Sequence, residues 1–388
     1  SRLPVALFGS GSLPSPVELL PMLGGTTMIG TLRTTFPSYP SAADVVTAVP
    51  EILEPRQGKR LVGLFALPFS ATVRLHHLPP ERHSVMPVRE LAMELKRTMG
   101  MRGTRVVFPP RQRPDLSTAQ LLHNKLPAAG TAIALLVAPE RVDLVTIEAI
   151  QDIEAYATRD RGRPHADPGR GMLPLKVAQM MVNLSLIPSG GTLYDPFCGV
   201  GAIPMEALLL GCSVVASDGS PTQVKRTKEN LDWLTSRVRT QRHPPQHPRN
   251  VFVHDVTRGA FPLSSQSVDA IVTEGWLGPA RTSSPLPHEA SAIFAKVSKL
   301  LTSLLTHART VVRDGGRLLI AVPAFRVQKR VLRFPIDRLR ARGWIAEPLV
   351  PPVWHTHPLF REAARGTLLY GRPDAVVLRE FIRVRKTS

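Results

Sequence analysis

The chain has 388 residues, of which 43% are apolar, and its 49 Lys or Arg against 30 Asp or Glu give a formal charge of +19. That length and apolar content support a globular protein of two domains, and the charge favours a polyanionic partner, since each neutralised phosphate releases counterions. Two cysteines, Cys198 and Cys212, are too few for a disulfide framework or a four-ligand metal site, no apolar run approaches bilayer length, and the opening lacks a signal-peptide pattern; a reducing cytosol is the default expectation.

In chain order, residues 4–8 read as a strand, 9–12 as a loop, and Ser15-Pro16-Val17-Glu18 as a helix start, with a capping serine, proline in the first turn and glutamate three residues on. Residues 38–55 read as loop and helix, 60–67 as a strand, and 87–97 as an amphipathic helix. Strand is expected over 104–108, a capped helix over 117–125, and strands over 131–137 and 142–150. The alternation predicts a small α+β domain over 1–157. Arg102, Arg105, Arg111, Arg113 and Lys125 are candidate phosphate contacts or simply a solvated face.

Residues 159–171 form a charged, turn-rich junction, followed by a helix whose Val177, Met180, Met181 and Leu184 share a face. Next comes Leu193-Tyr194-Asp195-Pro196-Phe197-Cys198-Gly199-Val200-Gly201-Ala202-Ile203, which reads as strand end, tight loop and helix start. Glycines at 199 and 201 permit the sharp turn and leave no Cβ between main chain and ligand. Gly211 ends the helix, and strand 213–217 stops at Asp218. This βαβ unit, with an acid closing its second strand, is the layout that seats a nucleoside, the carboxylate meeting the ribose hydroxyls. Pro204 stands where a pyrophosphate loop carries its third glycine, and Asp195 would repel phosphate and attract an amine. S-adenosylmethionine, with an α-amino group and a sulfonium, therefore suits the loop better than NAD.

Helix is expected over 222–234, an exposed insertion over 237–250, a third strand over 251–256 ending at Asp255, and a fourth over 268–273 leading into Glu274-Gly275-Trp276-Leu277-Gly278-Pro279. His243 and His247 lie four apart, but Pro244 and Pro245 prevent a helix from presenting both on one face, so no metal site is expected. An amphipathic helix over 288–312, capped by Gly315-Gly316, precedes a strand over 317–323. A final hairpin pairs 367–370 with 376–384. Residues 317–388, rich in arginine, are a further candidate RNA surface or a sheet edge covered by snorkelling side chains.

The Asp195-to-Gly201 loop, together with Gly171-Met172-Leu173-Pro174-Leu175-Lys176-Val177-Ala178-Gln179-Met180-Met181 and the loop after the fourth strand, resembles the THUMP-containing tRNA guanine-N2 methyltransferases and their bacterial relatives among the RNA methylases. The likeness covers nearly the whole chain, including Leu23-Gly24-Gly25-Thr26-Thr27-Met28-Ile29-Gly30. It implies a THUMP-like RNA-binding region over 1–157, a module that holds the acceptor end of tRNA. It also implies a Rossmann-like, seven-stranded class I methyltransferase domain over 158–388. The cofactor would be S-adenosyl-L-methionine, held by Met172, Pro174, Asp195, Phe197, Gly199, Gly201, Asp218, Asp255 and Val256, with Asp255 receiving the adenine amino group.

Glu274, Gly275 and Trp276 would take the catalytic roles that the family gives to an acid, a backbone carbonyl and a stacking aromatic, placed around an exocyclic base amine flipped out of the RNA. The usual family loop has proline where this chain has Gly275, which should leave the carbonyl's direction less fixed. Three readings follow: methylation of an exocyclic amine in RNA, most readily guanine N2 in tRNA; a DNA amino methyltransferase; or an RNA-binding scaffold with impaired chemistry.

Overall fold

The computed structural model describes residues 20–23, 28–36, 61–68, 105–107, 116–126, 131–137, 142–166, 172–237, 250–328, 330–336, 343–350, 365–372 and 374–387, with isolated positions at 44, 47, 48, 93, 94 and 97. The expected strand over 4–8, the helix start at Ser15, most of 38–55 and 87–97, and the insertion carrying His243 and His247 lie outside the described residues. Contacts divide the chain into two compact units, Ser1–Ile153 and Glu154–Ser388.

The first unit is a five-stranded sheet in the order β1-β5-β4-β2-β3, built from β1 (Met28–Phe36), β2 (Leu61–Pro68), β3 (Arg105–Val107), β4 (Thr131–Val137) and β5 (Val142–Ile150). β2 runs parallel to β3 and β4, whereas β5 is antiparallel to β4 and β1. The expected bounds of β4 and β5 match the structure, because each is a continuous apolar, β-branched run bounded by turn residues. Helix α1 (Thr118–His123) starts in a reciprocal capping box: Ser117 Oγ accepts from Gln120 N, and Gln120 Oε1 accepts from Ser117 N. Leu116, Leu121 and Leu126 pack from this helix region against Ala132, Ala134, Val145 and Ile147.

The second unit begins with α2 (Ile153–Gly162) and α3 (Leu175–Leu184). The charged run from Arg159 to Gly162 is thus the last turn of a helix rather than the start of a junction. Its polar residues hid it, because only Tyr156 of that helix is buried. There follow β6 (Thr192–Asp195), α4 (Ala202–Leu209), β7 (Ser213–Asp218), α5 (Pro221–Arg237), β8 (Asn250–Val253), β9 (Val268–Glu274), α6 (Pro287–Val311), β10 (Val312–Val327), β11 (Arg330–Leu332), β12 (Trp344–Glu347), β13 (Leu368–Tyr370) and β14 (Val377–Lys386). The sheet order is β12-β14-β10-β9-β6-β7-β8, with β11 and β13 pairing at its edges. Strands β6 to β10 are parallel, and β14 enters antiparallel to both β10 and β12.

Side chains alternate between the two faces of this sheet. Leu193, Ala270, Val272, Leu319, Ala321 and Phe381 join the core beneath α3, α4 and α5, while Tyr194, Ile271, Leu318, Ile320, Val322 and Ile382 join the core beneath α6. Gly315 and Gly316 do not cap α6 as expected. The helix ends at Val312, and the glycines sit in an irregular stretch of β10 where its register against β9 shifts between Val312 and Arg317. A Cβ at Gly316 would lie 2.8 Å from Asp269 O, so close approach of β9 explains that glycine.

Candidate active site

The chain runs outward through β6, β7 and β8, then returns to place β9 on the other side of β6. The strand order therefore reverses between β6 and β9, and a crevice opens beyond the carboxyl ends of strands at such a switch point. Asp195 ends β6 and Glu274 ends β9, so both acids stand at that crevice. Thr273 Oγ1, from the penultimate residue of β9, donates to Asp195 Oδ1 at 2.6 Å and ties the two strand ends together.

The loop between β6 and α4 is wound by specific bonds. Cys198 N donates to Ser217 O at 2.9 Å, Gly201 N to Cys198 O at 2.7 Å, and Gly199 N to Asp218 Oδ2 at 3.0 Å. Gly199 and Gly201 have φ of +53° and +86°. A Cβ at Gly201 would sit 3.0 Å from Thr227 Cγ2, whereas one at Gly199 would meet nothing within 4 Å. The first glycine therefore leaves open space beside main chain, and the second is packing. The two separate by substitution: Gly201→Ala is expected to cost about 1–3 kcal/mol of stability from αL strain and crowding. Gly199→Ala should cost less in a thermal melt while weakening whatever ligand fills the open space.

Each loop acid has a distinct setting. Asp195 is 1% exposed, and burial pushes its carboxyl up to about 7 despite bonds from Thr273 and Phe197 N; Asp218 and Glu274 add repulsion in the same direction. Asp218 is half-buried and spends Oδ1 on Ser220 N at 2.9 Å and Oδ2 on Gly199 N. Asp255 lies two residues beyond β8, not within it, and its carboxyl is held below the ordinary range by Thr257 N and Thr257 Oγ1. Gly219 brings the loops of Asp218 and Asp255 together, a Cβ there lying 3.9 Å from Asp255 Cβ. Val256 is buried and Phe197 partly buried, both in the core beneath α6.

Met172 and Pro174 lead into α3, where Pro174 is the N-cap and its carbonyl accepts from Val177 N and Ala178 N at 2.9 Å. Asn230 of α5 fastens the preceding segment to the glycine loop. Its Oδ1 accepts from His165 N, and its Nδ2 donates to His165 O and to Val200 O at 2.8 Å. Thr227 donates to Gly199 O at 2.7 Å from one turn earlier. Neither residue, nor Thr273, was legible as functional, because each acts across a large sequence separation with no local motif.

On the β9 side, burial raises the Glu274 carboxyl, and Arg379 of β14 opposes the shift through an Nε to Oε1 bond of 2.5 Å. Gly275 N donates to Ala321 O at 3.1 Å, extending the β9–β10 pairing by one residue. That bond holds the Glu274–Gly275 peptide, and proline, which lacks the N–H, could not make it. Gly275→Pro is accordingly expected to destabilise the protein by about 1–3 kcal/mol in a denaturant melt, by orphaning Ala321 O. Trp276 is 36% exposed, with Lys296 Nζ of α6 at 4.3 Å from its ring centroid.

Some of the arginine-rich C-terminal segment is spent internally. Arg317, Arg383 and Arg385 converge on Glu347, Arg333 and Arg365 approach the buried Glu380, and Arg379 holds Glu274. Those six side chains are part of the sheet's own electrostatics, whatever surface the rest present.

A parallel sheet with this switch point, an antiparallel strand inserted beside β10, and a glycine turn closed by an acid after β7 define the S-adenosylmethionine-dependent class I methyltransferase fold. Residues 162–334 match the RMKL-like methyltransferase domain family. A tRNA (guanine(10)-N2)-dimethyltransferase of Methanothermobacter thermautotrophicus is 32% identical over 169 residues, 43% of this chain and 44% of that protein. Its counterpart in Methanocaldococcus jannaschii is 29% identical over 170 residues, 42% of each. The matched stretch thus spans less than half the length of these relatives. The crystal structure of TrmN from Thermus thermophilus superposes with a TM-score of 0.51 at 17% identity, over 98% of this chain and 88% of that one, a likeness of fold. Residues 162–334 are thus similar to the RMKL-like methyltransferase domain family and to part of the tRNA guanine-N2 dimethyltransferases.

Proposed function

We propose that the protein transfers a methyl group from S-adenosyl-L-methionine to an exocyclic base amine in RNA, with guanine N2 of tRNA as the target. The observation that carries this reading is a crevice flanked by Asp195, Asp218 and Glu274, close enough for the latter two to raise the first, beside the open space at Gly199. Carboxylates on this scale reject a phosphate-bearing cofactor and favour a cationic one.

The residues fit S-adenosylmethionine. Asp195 would hold the ammonium, Asp218 the ribose hydroxyls and Asp255 the adenine edge, with Gly199 leaving room beside main chain and Met172, Pro174, Phe197, Gly201 and Val256 shaping the walls. The cofactor supplies an already activated methyl group, so the protein's task is to aim a lone pair. Glu274 would accept one N–H of the target amine and the Gly275 carbonyl the other, localising the nitrogen lone pair toward the methyl carbon. Arg379 opposes the upward shift that burial imposes on the Glu274 carboxyl, and Trp276 would stack on the flipped base.

The relatives named for tRNA guanine N2, and the formal charge of +19, support tRNA as the substrate and a cytosolic site of action. Among the described residues no helix is long and apolar enough to cross a membrane. The sheet of residues 28–150 would serve as a THUMP-like RNA-binding module delivering the substrate. Transfer of tritiated methyl groups to total tRNA and to duplex DNA tests the reading. Label in tRNA alone, abolished in Glu274→Ala, is expected; label in DNA alone would give the activity to a DNA amino methyltransferase, and RNA binding without label would make the chain a scaffold.

A further inference from the structure

Arg163 is a buried cation whose donors are poorly used. It is 4% exposed, and among the described residues Nε and Nη1 have no hydrogen-bond partner and Nη2 reaches only Met172 Sδ at 2.6 Å, a weak acceptor. A guanidinium with bare donors in a low-dielectric place is costly, and burial of such a group is ordinarily repaid by a carboxylate or phosphate set against its fork.

Among the described residues no acid fills that role. Glu206 of α4, fully buried, is one candidate, but Arg159 already engages both its oxygens, at 2.9 Å and 3.4 Å. Asp160 and Glu206 favour the charge of Arg163 at a distance without satisfying its Nε or Nη1. What Arg163 lacks is therefore hydrogen bonding more than charge.

Its location narrows the ligand. Arg163 lies two residues before His165, which Asn230 bolts to Val200 of the glycine loop, and it touches Met172 at the entry to α3. The same loop begins at Asp195, the acid assigned to an ammonium. We propose that Arg163 binds the α-carboxylate of the cofactor's amino-acid moiety, so that Asp195 and Arg163 together read the two ends of a zwitterion. The inference rests on the cofactor reading above and adds the residue that would select a complete amino acid over a neutral thioether or an amine lacking the carboxylate. A fork of parallel N–H donors suits a carboxylate in two-point contact, which a lysine could not reproduce.

Calorimetric titration tests this with three ligands: S-adenosylmethionine, its decarboxylated form, which keeps the sulfonium and amine, and 5′-methylthioadenosine, which lacks the amino-acid group. Parent protein should prefer S-adenosylmethionine over the decarboxylated form by about tenfold or more. Arg163→Met should erase that preference while leaving affinity for the other two within about twofold of the parent. Loss of affinity for all three in equal measure would assign Arg163 a structural role and overturn the proposal, as would a preference that survives in the variant. Arg163→Lys, with charge retained and the fork removed, should show a partial loss confined to S-adenosylmethionine, and it serves if the methionine variant melts early. Parent protein that binds none of the three would defeat the cofactor reading itself, a result distinguishable from failure of the Arg163 assignment alone.

Discussion

Glu274→Ala is expected to lower kcat by about 10²–10³ while leaving cofactor affinity within about threefold, the size of loss that follows removal of one group aimed at a developing transition-state charge. Under the proposed mechanism the separation follows from position: Glu274 closes β9, while the glycine loop and Asp218 lie along β6 and β7. Truncation also takes from Arg379, whose side chain is 12% exposed, its Oε1 partner, so a modest fall in melting temperature should accompany the kinetic loss. Glu274→Gln discriminates between charge and hydrogen bonding. An amide oxygen can still accept from the target amine, so this variant should retain more activity than alanine. Equal activity of the alanine variant and the parent would remove Glu274 from the mechanism.

Cofactor affinity should depend steeply on pH through Asp195. Burial puts its carboxyl at about 7 in the free protein, and a bound ammonium favours the ionised form, so below that pH a proton must leave for binding to occur. Affinity should therefore rise about tenfold per pH unit from 5.5 toward 7, level off, and fall again as the ligand's own α-amino group, near pH 8, loses its proton. The sign for stability is opposite. The folded carboxyl titrates above its unfolded value of 3.8, so the cofactor-free protein loses stability as pH rises through 7. Asp195→Asn should accordingly raise the melting temperature of the free protein at pH 8 while abolishing the acid limb of the binding curve. A binding curve flat from pH 5.5 to 7 would contradict the assignment.

What could be read from the chain alone was whatever local chemistry encodes. Ser117 and Gln120 announce α1, the apolar runs bound β4 and β5, and the paired glycines announce the turn from β6 into α4. What escaped depends on partners distant in sequence. The last turn of α2 is written in charged residues because its burial is confined to one tyrosine, so it looked like linker. Gly315 and Gly316 looked like a helix stop because glycine serves caps and close strand approaches alike, and only the proximity of Asp269 O distinguishes the two. The bond from Gly275 N to Ala321 O joins residues far apart in sequence, and the Glu274–Arg379 pair spans 105 positions with no periodic signal to reveal it.

Nucleoside mass spectrometry of unmodified tRNA incubated with the purified protein and S-adenosylmethionine identifies the atom that receives the methyl group. The account predicts N2-methylated guanosine, absent when Glu274→Ala replaces the parent. Methyl groups found instead on ring nitrogens, ring carbons or ribose oxygens would contradict it.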